Sequence, residues 1–346
     1  EVRSVSANTL PCRALSAYFY SKACVKVDGA SNHKNKSPDM NLNPVFSPLR
    51  LAASVALLAS VCATAQATES GVDNIGPGTD GFFMLPLDVN SLPDNMVAFN
   101  LYYNYYKARE LNISSLGGKV PGVEIKSEAV IPRLDYLSPL RIAGGRLGFY
   151  IAQPWIKQEV QAFGLSDDRE SMGDTTVAPI ILWDMGKTLT LGAAVEITIP
   201  TGEYDATRLA NTSNNFYTYK PLFSFTWLPS ERTELSVKTT YSFNQENHDT
   251  DYRSGQIFHF DYSASYKVTD NLNLGINGYY FEQLSNHRAN GVELADSRER
   301  VLGIGPGLMW RIDPKKALWI NAYTESMARN RAASALNLQV RTVFAF

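Results

Sequence analysis

Apolar and polar residues alternate along many short stretches of this chain, and this period of two limits its possible folds more than any other feature. In the segment 335–346, one face of an extended strand would carry Leu336, Leu338, Val340, Thr342, Phe344 and Phe346. The opposite face would carry Asn337, Gln339 and Arg341. The same division recurs at 187–200, 233–244 and 255–268. The pattern indicates strands that meet an apolar medium on one side and water on the other.

Counting such stretches predicts about twelve strands. Their expected positions are 95–106, 123–137, 146–160, 173–184, 187–200, 217–228, 233–244, 255–268, 272–283, 300–311, 316–328 and 335–346. Short turns alternate with longer polar loops, which are expected at 107–122, 161–172, 201–216, 245–254, 284–299 and 329–334. A soluble β-sandwich also alternates, but an even strand count with alternating short and long connections is typical of outer-membrane barrels. We therefore expect an all-β, transmembrane antiparallel up-and-down β-barrel over residues 95–346, with both ends in the periplasm.

Aromatic residues fall near the predicted strand ends, as expected of side chains that collect at the two membrane surfaces. The predicted periplasmic girdle consists of Trp227, Trp310 and Phe346. The predicted extracellular girdle includes Tyr103, Tyr105, Tyr217 and Tyr219. The alternative is that these are ordinary core aromatics.

Residues 40–67 have the anatomy of a secretory signal peptide: a short region ending in Arg50, an apolar stretch and the trio Ala65-Gln66-Ala67. The apolar stretch is shorter than the roughly 20 residues that a spanning helix needs. Residues 1–39 precede this signal, and we interpret them as an extension that is not part of the functional protein. The three cysteines lie within residues 1–67, so the exported chain would offer no disulfide or thiolate chemistry.

Residues 68–94, between the signal peptide and the first strand, contain several glycines and prolines. They could fold into the mouth of the barrel as a plug, or they could form a loose periplasmic leader. Gly76 and Gly78 belong to no phosphate-binding pattern, because no strand precedes them and no helix follows.

Composition gives no sign of a nucleic-acid partner, since the net charge is −2 and only 19% of residues are charged. A barrel hydrolase is the enzymatic alternative, and His259, Asp261 and Ser263 share one face of a strand. Strand neighbours two apart are roughly 6.5–7 Å from one another, which argues against direct hydrogen bonds. No cluster has metal-ligand spacing. We therefore expect no catalytic residues, metal or cofactor.

Charged residues on the polar faces of the strands are the candidates for solute contact, because a charge within a membrane-spanning strand must face water or a partner. The candidates are Glu196, Lys220, Glu234, Lys238, His259, Asp261, Lys267, Arg311, Glu325 and Arg341. The alternative is an ion-pair network that fills the lumen without contacting solute.

Several motifs resemble the outer-membrane family named for the meta pathway of phenol degradation. They include Gly173-Asp174 with Pro179 and Trp183, Ile199 to Asp205 (IPTGEYD), Asn215 to Pro221 (NFYTYKP), Glu234 to Lys238 (ELSVK), Asn244 to Gly255 (NQENHDTDYRSG), Asp261-Tyr262, Gly278-Tyr279-Tyr280 with Gln283, Gly305-Pro306 and the final Phe346. The resemblance implies an outer-membrane channel that admits aromatic compounds, with no catalytic residues to transfer. One departure is Asn286-His287-Arg288, where the family tends to have acidic residues, and it puts solute preference in doubt.

The resulting hypothesis is passive entry of small hydrophobic or aromatic solutes across the bacterial outer membrane. A twelve-stranded barrel falls between side-chain-filled barrels of eight strands and open porins of sixteen, so any passage should be narrow. The expected partners are outer-membrane lipid, the solute and the insertion machinery, whose recognition signal resembles the last strand ending in Phe346. The alternatives are a structural or adhesive barrel without transport, and the hydrolase.

Overall fold

The computed structural model describes Gly78 and residues 80–346. The predicted upstream extension (1–39) and signal peptide (40–67) lie outside the described residues. Within the described part, no helix is long and apolar enough to cross a membrane.

Within residues 80–346, twelve antiparallel strands form a closed barrel, which confirms the predicted fold class. The strands are β1 (Met96–Ile113), β2 (Val123–Ile142), β3 (Gly145–Ala152 and Trp155–Ala162), β4 (Leu165–Met172 and Thr175–Asp184), β5 (Leu189–Ile199), β6 (Thr218–Ser230), β7 (Thr233–Asn244), β8 (Ile257–Lys267), β9 (Leu272–Gln283), β10 (Arg300–Asp313), β11 (Lys316–Arg329) and β12 (Arg331–Ala345). Each strand pairs with the next, and β12 pairs with β1, where Ala345 lies opposite Ala98. Closure leaves no free sheet edge within the membrane.

Several smaller elements do not belong to the twelve-stranded wall. They are the 3₁₀ helices Val89–Ser91 and Ser114–Leu116, the strand Gly118–Val120, and four two-residue strands, Glu246–Asn247, Tyr252–Arg253, Arg288–Ala289 and Val292–Glu293. The four short strands join into one small sheet that links the loops after β7 and β9. These two loops therefore form one unit at the extracellular end.

Two of the predicted loops are wrong, and a third, 107–122, is wrong in part because β1 continues to Ile113 and the strand Gly118–Val120 pairs with it. Residues 161–172 form the end of β3, a two-residue turn and the first half of β4, while 329–334 contain a tight turn at Asn330 followed by β12. Phe163 and Gly164 make the first turn with φ of 54° and 86°. Both faces of these extensions carry polar residues, so the alternation that marks a lipid-facing strand is absent and sequence reasoning assigned loops.

The barrel is apolar outside and largely polar inside, the reverse of a soluble sandwich. Large apolar residues exposed on its outer surface include Leu101, Leu134, Ile151, Phe223, Ile276 and Ile304. Polar residues buried on its inner surface include Ser224, Thr226, Ser236, Ser263, Asn277 and Gln339. This inversion requires hydrocarbon around the barrel, since burial of the outer surface stabilises the fold only in a membrane.

The structure places the predicted girdle residues on the outer surface. Trp227 and Trp310 lie near the periplasmic ends of β6 and β10, with 43% and 49% of their surface exposed. Tyr219 lies at the extracellular end of β6, opposite Phe243. Tyr103 lies farther from a strand end than the sequence predicted, because β1 continues to Ile113.

Candidate functional site: the barrel lumen

Residues 80–95, here called the inner segment, run inside the barrel from its middle to the periplasmic end. The backbone N–H of Phe83 donates to Oε1 of Glu234 on β7 at 2.9 Å. The indole N–H of Trp319 on β11 donates to the carbonyl of Phe82 at 2.8 Å. Two parts of the barrel wall, four strands apart, therefore hold the same stretch of backbone.

Asp80 is the centre of a buried charge cluster in the middle of the lumen. Its Oδ2 lies 2.5 Å from Nζ of Lys238, and its Oδ1 lies 3.6 Å from Nη1 of Arg341. Lys238 also lies 3.1 Å from Asp261, which in turn lies 2.9 Å from Nε2 of His259. Burial disfavours the charged Asp80 carboxylate, but the facing Lys238 and Arg341 outweigh burial and hold the pKa of Asp80 well below its usual range.

Arg146 at the periplasmic end was missed by the sequence analysis. Its side chain is 2% exposed and donates from Nη1 to the carbonyls of Val89 and Leu92 at 2.9 and 2.7 Å, and from Nη2 to that of Pro93 at 3.0 Å. A charged residue amid the apolar start of β3 was the available signal, because such a charge needs a partner. Arg146 fixes the inner segment where it enters β1.

The lumen also has apolar surfaces, which the alternation pattern did not predict. In the periplasmic half, Phe82 packs with Met309, Ala317 and Trp319. Leu85 and Val89 pack nearby with Leu137 and Leu182. In the extracellular half, a separate cluster is formed by Ile257, Tyr279, Phe281, Val301 and Tyr323. The inner surface of the barrel thus carries an apolar cluster at each level, and the members of both clusters are buried.

The loop after β5, residues 200–217, folds against the inner face of the β3–β4 extension. Asp174 lies in the break within β4 and is fully buried. Its two carboxylate oxygens accept the backbone N–H groups of Gly202 and Asn214 at 3.1 and 3.0 Å. This loop narrows the extracellular end of the lumen and is fixed there by a buried carboxylate.

All ten predicted lumen residues lie at inward-facing positions, but most contact other protein groups. Glu196 lies 3.4 Å from Lys220, Glu234 accepts from Phe83, Lys267 lies 2.9 Å from Asp270, and Glu325 accepts from Tyr106 and Tyr279 at 3.0 and 2.8 Å. Lys238, His259, Asp261 and Arg341 belong to the Asp80 cluster. Arg311 stands apart at the periplasmic mouth, where its side chain is exposed.

One geometric argument from the sequence is wrong. His259 and Asp261 do make direct contact, because side chains two apart on a strand can bend toward each other. Asp261 nevertheless lies between His259 and Ser263 along the strand, so the histidine cannot bridge the other two as a catalytic triad requires. No group of metal-ligating side chains occurs in the part of the chain that the structure describes.

His287, which departs from the family pattern, is buried rather than open to solute. Its Nδ1 accepts the backbone N–H of Gly255 at 3.2 Å, and its Nε2 lies 3.7 Å from Glu299. Because Gly255 follows the β7 loop and His287 belongs to the β9 loop, the histidine fastens the two loops together.

Residues 108–341 match the family model described as the MetA-pathway of phenol degradation, which covers more than half of the chain. The chain belongs to this family. No protein with curated annotation shows a significant match. The chain shares its fold with an outer membrane channel from Pseudomonas putida F1, at a TM-score of 0.68 and 18% identity over 76% of this chain and 99% of the other. A weaker likeness, to the transport unit of the autotransporter AIDA-I from Escherichia coli, has a TM-score of 0.46 and 9% identity over 82% and 99% of the two chains.

Membership of the phenol-degradation family and the barrel fold place the chain in the bacterial outer membrane. Several of the motifs that carry the family resemblance shape the extracellular end of the lumen. Asp174 holds the β5 loop, Phe216 within that loop is buried, and Asn215 donates to Asn247 of the β7 loop at 3.0 Å. These family motifs therefore build the narrow entrance.

Proposed function

We propose that this barrel is a channel for passive entry of small hydrophobic or aromatic solutes. The observation that carries the proposal is the pair of apolar clusters on the inner side of the barrel wall, which contain Phe281 and Tyr323 in one half and Met309 and Trp319 in the other. Such residues favour an aromatic solute, because its apolar surface leaves water when it contacts them. The family's link to phenol degradation supports the same class of solute.

The inner segment acts as a plug in this proposal. It is held by Glu234, Trp319 and the Asp80 cluster, and it covers the periplasmic apolar surface. A solute that binds this surface competes with Phe82 and Leu85 for it, so entry requires displacement of part of the segment. No energy source is needed, because the solute concentration gradient drives entry.

The test is solute uptake by vesicles with a lipopolysaccharide outer leaflet, which slows diffusion of hydrophobic compounds through the bilayer. Radiolabelled phenol should enter faster with the reconstituted protein than with empty vesicles, while glucose entry should change little. The double variant Lys220→Ala plus Lys238→Ala should alter phenol flux by loosening the lumen. Equal phenol flux with and without protein would contradict transport.

A structural or adhesive role is the second candidate, and the occupied lumen favours it. The inner segment occupies part of the periplasmic half, and the β5 loop occupies part of the extracellular half. The two candidates separate in the same uptake measurement, since an adhesive barrel gives no phenol flux in either the native or the loosened form.

Insertion through the last strand completes the proposal. Leu336 and Phe344 are outward-facing residues of β12, and Phe346, which follows the strand, is 71% exposed. Such a strand offers an apolar edge to the insertion machinery. Phe346→Ser should lower the amount of folded barrel in outer membranes, whereas Phe346→Tyr should preserve it; equal amounts for both would contradict this role.

A further inference from the structure

The periplasmic half of the lumen contains a cavity of about 540 Å³ between the inner segment and the wall formed by strands β10 to β4. This volume lies within the range of small-molecule sites, roughly 300–1,000 Å³. Its apolar surface is contributed by Phe83, Leu85, Met96, Leu137, Met309 and Val343. The cavity lies on the route that a solute would take after passing the Asp80 cluster.

Five cations and two carboxylates line this cavity, so its charge is unbalanced. Three of the cations already have carboxylate partners: Arg133 pairs with Asp135 at 2.6 Å, Arg341 with Asp80 at 3.6 Å, and Lys316 with Asp313 at 3.2 Å. The two others, Arg311 and Lys315, form no ion pair with a carboxylate of the described residues. Both lie at the periplasmic mouth, beside the turn between β10 and β11.

The aromatic wall and the free cations lie on the same side of the cavity. Trp319 lines it on β11, where the guanidinium of Arg341 lies 4.5 Å from its ring centre. Arg311 and Lys315 lie toward the end of the same β10–β11 hairpin. A ligand with a flat apolar body and one anionic end would therefore find apolar contact inside and positive charge at the mouth.

We propose that this cavity is a binding site for aromatic carboxylates, with the ring packed between Phe83 and Trp319 and the carboxylate held by Arg311 and Lys315. This site rests on the proposed function and extends it, because it makes aromatic acids in their anionic form the class of solute that binds at the periplasmic end of the channel. Two cations that lack carboxylate partners give up only water when they bind an anion, whereas the paired ones would have to exchange one carboxylate for another.

Binding is tested with three probes of one shape in purified full barrel: 4-bromobenzoate, 4-bromobenzyl alcohol and 4-bromobenzylamine. The bromine quenches a neighbouring indole, so quenching that is lost in Trp319→Phe locates the probe at this cavity. Calorimetry on the same variant reports whether binding persists. 4-Bromobenzoate should bind at least tenfold more tightly than the neutral alcohol, and the amine should bind weakest.

The double variant Arg311→Gln plus Lys315→Gln should weaken 4-bromobenzoate binding about tenfold and leave the alcohol unchanged, since roughly 1.4 kcal/mol corresponds to a factor of ten. Lys119→Gln plus Arg109→Gln, at exposed extracellular positions, is the matched control and should change neither. The proposal is overturned if the three probes bind alike, or if quenching persists in Trp319→Phe. Binding at equilibrium is measured without solute flux. A failure of the probes to bind as expected would therefore overturn this site without changing the vesicle test of transport.

Discussion

Replacing Asp80 with Asn should loosen the inner segment without removing any of its other contacts. The Asp80 carboxylate is 5% exposed, faces Lys238 and Arg341, and is the only acidic group that the inner segment contributes to the cluster in the middle of the lumen. Asn keeps the shape of the side chain but leaves both cations without its charge. The substitution therefore isolates the ion pairs from the rest of the packing.

The size of the effect follows from what each cation retains. Breaking a buried ion pair costs roughly 3–5 kcal/mol when the remaining charge has no other partner. Lys238 keeps Asp261 at 3.1 Å, and Arg341 keeps a hydrogen bond to Asn100 at 3.0 Å, so the lower end of that range applies. A loss of about 3 kcal/mol reduces the ratio of seated to displaced segment by a factor of about 100.

Thiol labelling measures that ratio, because residues 80–346 contain no cysteine. Leu85→Cys places a reporter at a position that is 6% exposed and covered by the barrel wall. A membrane-impermeant maleimide should label Asp80→Asn/Leu85→Cys about 100 times faster than Leu85→Cys alone. Asp251→Asn, in the exposed β7 loop, is the matched control. Equal labelling rates with and without Asp80→Asn would refute the view that the ion pairs seat the segment.

Three further predictions concern the same contacts. Because the pKa of Asp80 is depressed in the folded barrel, its contribution to holding the inner segment is present above the ordinary value of about 4 and is lost only as the pH falls through the lowered one. In a His259→Asn barrel, which lacks the imidazole that faces Asp261, bilayer conductance should therefore stay constant between about pH 8 and about pH 5, and a rise within that window would contradict the role given to Asp80. Arg146→Gln should leave buried carbonyls without a donor and lower the unfolding temperature seen by heat-modifiable gel migration, each lost partner costing roughly 1–3 kcal/mol, whereas Arg109→Gln at an exposed site should not. Asp174→Ala should free the β5 loop and speed its proteolysis, while Asp168→Ala on the outer face of β4 should leave the cleavage rate as it is.

Much of the barrel could be predicted from the sequence, because each side chain that faces the lipid must be apolar whatever its neighbours are. Residues such as Phe223 and Ile276 must be apolar wherever they meet hydrocarbon, so alternation alone reveals the strand and its outward face. The same signal fails where both faces are wet. The hairpin around Phe163 and the start of β12 at Arg331 were assigned to loops for this reason.

The sequence by itself determined the fold class, the number of strands and the inward face that carries the candidate residues. Only the tertiary structure decided which of those residues meet: Asp80 finds Lys238 across 158 residues and Arg341 across 261. Alternation indicates whether a side chain faces the lumen or the lipid. It does not give the depth of the residue in the membrane or its position around the barrel, because strand register and barrel closure set these. The occupied lumen, the role of Arg146 and the unpaired cations at the periplasmic mouth all depend on that closure.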